Sequence, residues 1–234
     1  MLLDAVASIC SKQPMMTDAL PILYSFRRCP YAMRARMALL ISQQHCALRE
    51  IVLRDKPDQM LEASPKGTVP VLVLPDGSVI DESFEVMVWA LTQNDPENWL
   101  AAWTEDQNGT RDLIAHNDGP FKAHLDRYKY PTRYDGVDPI EERDGGVQFL
   151  QRLEDRLALN GHLSGPSRSI ADMAIAPFIR QFANTDRDWF DSLDMPKLHA
   201  WLDSILSSQI FLQIMKKYPV WQPGDAEPIF AEAL

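Results

Sequence analysis

Ile22-Leu23-Tyr24-Ser25-Phe26-Arg27-Arg28-Cys29-Pro30-Tyr31-Ala32 joins a short apolar strand to the start of a helix, with one cysteine at the joint. Ile22 to Phe26 reads as the strand, and Pro30 takes a first-turn position that suits its fixed φ and missing N–H. Met33, Met37, Leu40 and Ile41 follow at helical spacing and make one apolar face. Cys29 thus falls where a helix leaves its first N–H groups unpaired and its dipole is positive. Arg27, Arg28, Arg34 and Arg36 crowd around it as a basic island. Such a setting favours thiolate over thiol. A lone cysteine is more usually buried and inert, which is the reading for Cys46; the strand, proline and arginine context reverses it for Cys29.

Outward from this joint the two periodicities alternate. Ala47 to Val52 reads as a second strand and Pro57 to Ala63 as a short helix. Val71 to Leu74, the turn Pro75-Asp76-Gly77-Ser78 and Val79-Ile80 make a hairpin. Phe84, Met87, Val88 and Leu91 then mark a helix from Ser83 to Gln93. The order is βαβαββα. After Asn94-Asp95-Pro96 the strand signals stop, and Leu150, Leu153 and Leu157, then Ile170, Met173, Ala174 and Phe178, then Leu198, Trp201, Leu202 and Ile205 recur at helical spacing. Gly161 to Arg168 reads as a loop, and Ser169-Ile170-Ala171-Asp172 as a capping box with Asp in the place of Glu. The tail from Pro219, with Pro223 and Pro228, reads as extended. Three parts result: an extension over 1–20, an α/β domain over 21–95 and an all-helical domain over 96–234.

The chain has 234 residues, 23 Lys plus Arg against 33 Asp plus Glu, and a net charge of -10. Hydrophobic residues at 46% and charged residues at 24% are globular values, which excludes disorder, collagen and small disulfide scaffolds. Residues 21–95 carry 8 basic and 9 acidic side chains and residues 96–234 carry 14 and 22, so the acidity belongs to the second part. An acidic chain suits phosphate backbones poorly, so no nucleic-acid partner is expected. No apolar run has the length of a membrane span, so no membrane partner is expected either. The start has Asp4, no basic residue before Lys12 and none of the pattern of a secretory signal; Met16 offers a second start. Cys10, Cys29 and Cys46 form no CxxC pair, which points to a reducing, cytoplasmic setting. His116 and His124 lack further ligands at metal spacing, so no metal is expected. Asp126-Arg127-Tyr128-Lys129-Tyr130 with Arg133-Tyr134 interleaves bases and aromatics, and reads as a solvated helix end or a wall of a pocket.

Two further segments carry candidate chemistry. Val69-Pro70 stands just before a strand: a cis bond there turns the backbone of Val69 outward to pair with an extended peptide, whereas a trans bond makes it a plain loop proline. Glu82-Ser83 opens a helix. Ser83 offers a hydroxyl and an N–H to a carboxylate and Glu82 an acceptor to an ammonium, or Ser83 is a simple cap.

Taken together, Cys29-Pro30-Tyr31-Ala32, Val69-Pro70 and Glu82-Ser83 in a βαβαββα unit followed by helices resemble the glutathione transferase superfamily. The cysteine motif is similar to its cysteine-type, Omega-like class and bacterial glutaredoxin-like two-domain members. The resemblance implies a thioredoxin-like α/β N-terminal domain with an all-α C-terminal domain. It implies Cys29 as the catalytic thiolate, Tyr31 lining the glutathione sulfur, and Val69 before a cis Pro70 pairing with the cysteinyl backbone. Glu82 and Ser83 would hold the γ-glutamyl group and Lys56 the glycine carboxylate. Glutathione would be the co-substrate; the resemblance leaves a homodimer, usual in the superfamily, and a monomer, as some thiol-active relatives are, both open.

Ala32 stands where dithiol glutaredoxins have a second cysteine, so a second glutathione must resolve Cys29. A cysteine thiolate repels the glutathione thiolate that a Ser or Tyr hydroxyl would assist, and instead attacks sulfur. The expected activity is glutathione-dependent thiol transfer or reduction, thioltransferase or dehydroascorbate-reductase-like, on a small electrophile or disulfide, with weak conjugation. The rival is a non-catalytic protein-binding regulator of the same fold; a third reading is a redox sensor merely glutathionylated at Cys29.

Overall fold

A computed structural model describes residues 19–231. Most of the expected extension, including Cys10 and Met16, lies outside the described residues. Strand β1 (Ile22–Ser25) leads into α1 (Pro30–Ile41), β2 (Cys46–Glu50), α2 (Asp58–Ala63), β3 (Val71–Val73), β4 (Val79–Ile80) and α3 (Ser83–Gln93). This is the expected order, with ends shifted by one or two residues. The sheet is mixed and runs β4-β3-β1-β2, with β1 parallel to β2 and antiparallel to β3. Its alternation sorts side chains by face: Leu23, Leu48 and Leu72 point into the main core, while Tyr24 and Val71 pack with Met60 and Trp221 on the other side.

A fifth strand departs from the sequence reading. The tail is extended as read, but the second part is not all-helical: β5 (Ile229–Phe230) pairs antiparallel with β2, Cys46 opposite Phe230 and Ala47 opposite Ile229. Trp221 N–H donates to the Glu50 carbonyl at 2.8 Å. A two-residue edge strand far along the chain has no periodicity to announce it; the bare edge of β2 recruits it.

The helical half comprises α4 (Ala101–Thr104), α5 (Thr110–His116), α6 (Lys122–Lys129), α7 (Pro139–Asn160), α8 (Ile170–Ala183), α9 (Arg187–Asp191), α10 (Pro196–Leu206) and α11 (Gln209–Ile214). Between α5 and α6 the chain continues as a single π turn, Asn117–Phe121, around Pro120. A ring that cannot supply an N–H and crowds the preceding turn is accommodated by widening the helix locally.

The capping box at Ser169 forms: Asp172 accepts from the Ser169 N–H and hydroxyl, both at 2.9 Å. The same carboxylate also takes the Leu163 N–H at 3.1 Å and the Trp201 indole at 2.8 Å, tying loop 161–168 and α10 to the start of α8.

Helix α1 differs from the single apolar face expected of it. Every residue from Ala32 to Ile41 is buried, Arg34 and Arg36 included, because α3, α8 and α11 pack against α1 and its apolar side chains share a core with those of the sheet. The basic island is therefore not an open patch. Arg36 pairs with Glu50 at 3.1 Å and Arg34 with Asp118 at 2.7 Å, and each charge is neutralised inside the fold.

Candidate active site

Cys29 is the residue before α1, in extended conformation, and its carbonyl accepts the Met33 N–H at 2.9 Å. Pro30 has no N–H to offer, so the first donors over the sulfur are those of Tyr31 and Ala32. Across the cleft the Val69-Pro70 bond is cis, and the Cys29 thiol faces the Val69 carbonyl at 3.8 Å. The two loops that the sequence singled out thus meet.

The thiolate expectation needs correction. Burial pushes the Cys29 thiol above the ordinary thiol range. The N–H groups of Ala32 and Tyr31 and the cations Lys122 and Arg34 pull the other way without overcoming it. Two of the four arginines that motivated the expectation, Arg34 and Arg36, are paired with carboxylates, and removing the sulfur from water disfavours its charge. Burial also pushes the Tyr31 hydroxyl up to about 12, so at neutral pH it remains a hydrogen-bond donor. Cys46, fully buried, is likewise pushed up to about 12, in keeping with its inert reading.

The remaining site residues surround this cleft. Ser83 is the first residue of α3, and its hydroxyl accepts from Arg34 Nε at 3.0 Å. Glu82 precedes it and pairs with Lys66. Asp81, just before, accepts from the Ser64 hydroxyl at 2.6 Å and so ties this strand end to the loop that leads to Val69. Lys56 borders the same loop, its Nζ 3.6 Å from where a Cβ on Gly67 would stand. Gly67 has φ +62°, which a side chain rarely adopts. Contacts thus join Cys29 to Val69, Ser83 to Tyr31 through Arg34, and both Glu82 and Lys56 to the loop of Lys66 and Gly67.

Arg34, Asp118 and Lys122 were not identified as site residues from sequence. The guanidinium of Arg34 touches Ser83 and the Asp118 carboxylate, and stacks 5.2 Å over Tyr31. Lys122 pairs with Asp126 and lies 5.6 Å from the centre of that ring. Phe178 of α8 meets Tyr31 edge-on at 4.8 Å. The helical half thus supplies a wall beside the sulfur, built from the π turn, α6 and α8. Of the interleaved segment, Tyr128 is buried against Phe182, while Arg133 stacks on Tyr130 at 4.1 Å.

Residues 23–99 match the family model for the glutathione S-transferase N-terminal domain, and residues 121–204 that for its C-terminal domain. The chain is 24% identical over 190 residues to a probable glutathione S-transferase, DHAR1, cytosolic, of Oryza sativa subsp. japonica, spanning 79% of this chain and 83% of that one. It is 25% identical over 206 residues to glutathione S-transferase omega-1 of Rattus norvegicus, spanning 85% and 77%. The structure superimposes with a TM-score of 0.71 and 16% identity on a glutathione transferase family member from Pseudomonas fluorescens with two glutathione bound, covering 86% and 95% of the two chains. The protein belongs to the glutathione S-transferase superfamily, with its mixed-sheet thioredoxin-like domain and its helical domain. No described helix is long and apolar enough to cross a membrane.

Proposed function

We propose that the protein is a glutathione-dependent thiol transferase that works through a mixed disulfide at Cys29. The observation that carries this reading is the position of the sulfur: at the mouth of α1, under the N–H groups of Tyr31 and Ala32, facing the Val69 carbonyl across the cleft. No second sulfur stands in the motif, since Ala32 follows three positions on. Relatives named for Omega and DHAR activity, and a similar fold that holds glutathione, support the same reading.

Glutathione enters along the edge formed by β3 and the start of α3. Val69 pairs with its cysteinyl backbone, the Ser83 N–H and hydroxyl take the γ-glutamyl carboxylate, and Glu82 takes the ammonium. The Lys66–Glu82 pair is exposed, so exchanging Lys66 for an ammonium costs little. Lys56 takes the glycine carboxylate, and Tyr31 donates to the sulfur.

Chemistry follows from the single sulfur. The Cys29 thiol gives its proton to water, the thiolate so formed attacks the glutathionyl sulfur of a mixed disulfide, the S–S bond breaks, and the partner leaves as a thiolate that takes a proton back from water. Cys29 is then disulfide-bonded to glutathione. A second glutathione thiolate attacks that glutathionyl sulfur, glutathione disulfide leaves, and Cys29 is regenerated. One glutathione is oxidised for each mixed disulfide reduced. Conjugation is weak, because two thiolates repel where a hydroxyl would have donated.

Intact-mass measurement after exposure to glutathione disulfide tests this directly. The expected product is one glutathionyl adduct, mapped to Cys29, with turnover of a mixed disulfide abolished in Cys29→Ala. Turnover that survives this substitution rules the mechanism out, and an adduct without turnover makes Cys29 a sensor instead.

A further inference from the structure

Glu50 ends β2 on the face that the alternation turns inward: Cys46, Leu48 and Glu50 are its buried positions, and the first two join the main core. The pattern calls for a third apolar residue. Instead a carboxylate stands there, 5% exposed, against the fully buried Arg36. Burial pushes the Glu50 carboxyl up and the Arg36 guanidinium down. Two apolar side chains of similar volume are often as stabilising as such a pair, or more so. Nor is the pair well satisfied: Arg36 Nη2 donates to Glu50 Oε2 at 3.1 Å, while its Nε and Nη1 have no acceptor among the described residues. Packing alone does not account for a carboxylate at this position.

The other carboxylate oxygen supplies a reason. Oε1 accepts the Arg27 N–H at 2.7 Å, across 23 positions of sequence. In the parallel ladder Glu50 stands opposite Ser25, the last residue of β1, so the end of β2 lies beside the segment that leads to the thiol. That segment is a four-residue turn: the Cys29 N–H donates to the Phe26 carbonyl at 2.9 Å and closes it, with Arg27 as its first central residue. The closing bond uses the first carbonyl and the last N–H, and leaves the N–H of Arg27 to find an acceptor outside the turn. Glu50 meets it with a charged acceptor, the stronger kind. The last residue of the turn is the nucleophile, whose sulfur faces the Val69 carbonyl at 3.8 Å.

We propose that Glu50 is a positioning residue for Cys29: by holding the Arg27 N–H, its carboxylate fixes the turn that aims the sulfur at a disulfide lodged beside Val69. The inference rests on the mixed-disulfide reading of Cys29. Transfer between sulfurs needs the attacking and leaving atoms aligned, and a misplacement of about 1 Å costs up to about a hundredfold in rate.

The test compares Arg36→Met/Glu50→Gln with Arg36→Met/Glu50→Leu. Methionine removes the cation that would otherwise be stranded; the glutamine carbonyl can still accept the Arg27 N–H, and leucine cannot. Three quantities are measured: the rate at which glutathione disulfide glutathionylates Cys29, releasing one glutathione; the Kd of S-methylglutathione, whose sulfur does not react; and alkylation by iodoacetamide, a small electrophile with little need of aim. Glutathionylation of the leucine variant is expected to fall about tenfold or more below that of the glutamine variant, while Kd and alkylation differ by less than about threefold. A second pair removes the donor instead: Arg27→Pro lacks the N–H that Arg27→Ala keeps, at a turn position where proline is favoured, and is expected to show the same fall. This pair decides alone if the leucine variant does not fold. Equal glutathionylation within the pairs overturns the positioning role, and so does a parallel fall in alkylation, which would make Glu50 an influence on thiol charge. Failure of the wild-type protein to form the Cys29 adduct overturns the reading beneath it.

Discussion

Arg34 holds Ser83 and Asp118 in one planar fork: its Nε donates to the Ser83 hydroxyl at 3.0 Å and its two terminal nitrogens to the Asp118 carboxylate at 2.7 and 2.8 Å. The guanidinium is 3% exposed. One side chain of α1 thereby fixes the start of α3, where the γ-glutamyl end of glutathione is proposed to bind, to the π turn of the helical half. Lysine has no fork and cannot hold both.

Asp118→Ala is expected to destabilise the protein by about 3 kcal/mol, because it leaves the two terminal nitrogens of a buried guanidinium without a carboxylate. With Arg34 no longer anchored at its Asp118 end, its hold on Ser83 loosens, and the KM for glutathione rises about fivefold or more while kcat changes less. Urea unfolding and initial rates at varied glutathione check the two effects. A drop in kcat with KM intact would show that Asp118 serves the chemistry rather than the grip.

The pH dependence of Cys29 follows from its burial. Without glutathione its thiol titrates above the range of about 8.5 for a free cysteine, so alkylation by iodoacetamide keeps accelerating past that pH. Removing a cation that favours the thiolate raises the titration further: Lys122→Met slows alkylation at pH 8 roughly twofold or more. Cys46 stays unmodified throughout. A plateau below pH 7 would mean that the helix terminus outweighs burial after all.

Asp172 is fully buried with four hydrogen bonds on its two oxygens. Asp172→Ala strands the Leu163 N–H and the Trp201 indole and is expected to cost about 3–5 kcal/mol in urea unfolding. A loss under about 1 kcal/mol would mean that water replaces the carboxylate.

Adjacent glycines in α7 are expected to behave differently. A Cβ on Gly146 would stand 2.6 Å from the Phe182 ring, itself fully buried, whereas one on Gly145 would meet the ring of the half-exposed His124. Gly146→Ala should destabilise by about 1–3 kcal/mol through overpacking. Gly145→Ala can push His124 aside, at the loss of its 2.6 Å contact to Glu142, and gains up to about 1 kcal/mol of helix propensity. Thermal melts of the pair decide it; equal losses would contradict the packing argument.

What the sequence revealed and what it hid divide by range. Pro30 at the head of α1, the turn Pro75 to Ser78 and the Ser169–Asp172 box are local signals whose physics acts within a few residues, and all three take the expected form. The arginines around Cys29 were legible as charge and misleading as a patch, because Asp118 lies 84 positions from Arg34 in sequence. The titration of Cys29 was hidden for the same reason: its burial against the cis loop and the cluster of Tyr24, Met60 and Trp221 is a property of the assembled fold.

The pairing of Ala47 with Ile229 places the last strand of the sheet almost the whole helical half away from its partner. During synthesis the α/β half emerges first, at rates that allow domains to fold as they appear. Here it would have to wait with the edge of β2 open, a template for pairing with any other nascent chain. A gene fragment stopped after α3 therefore encodes an incomplete sheet, and the two halves are better regarded as one folding unit than as modules to be exchanged between relatives.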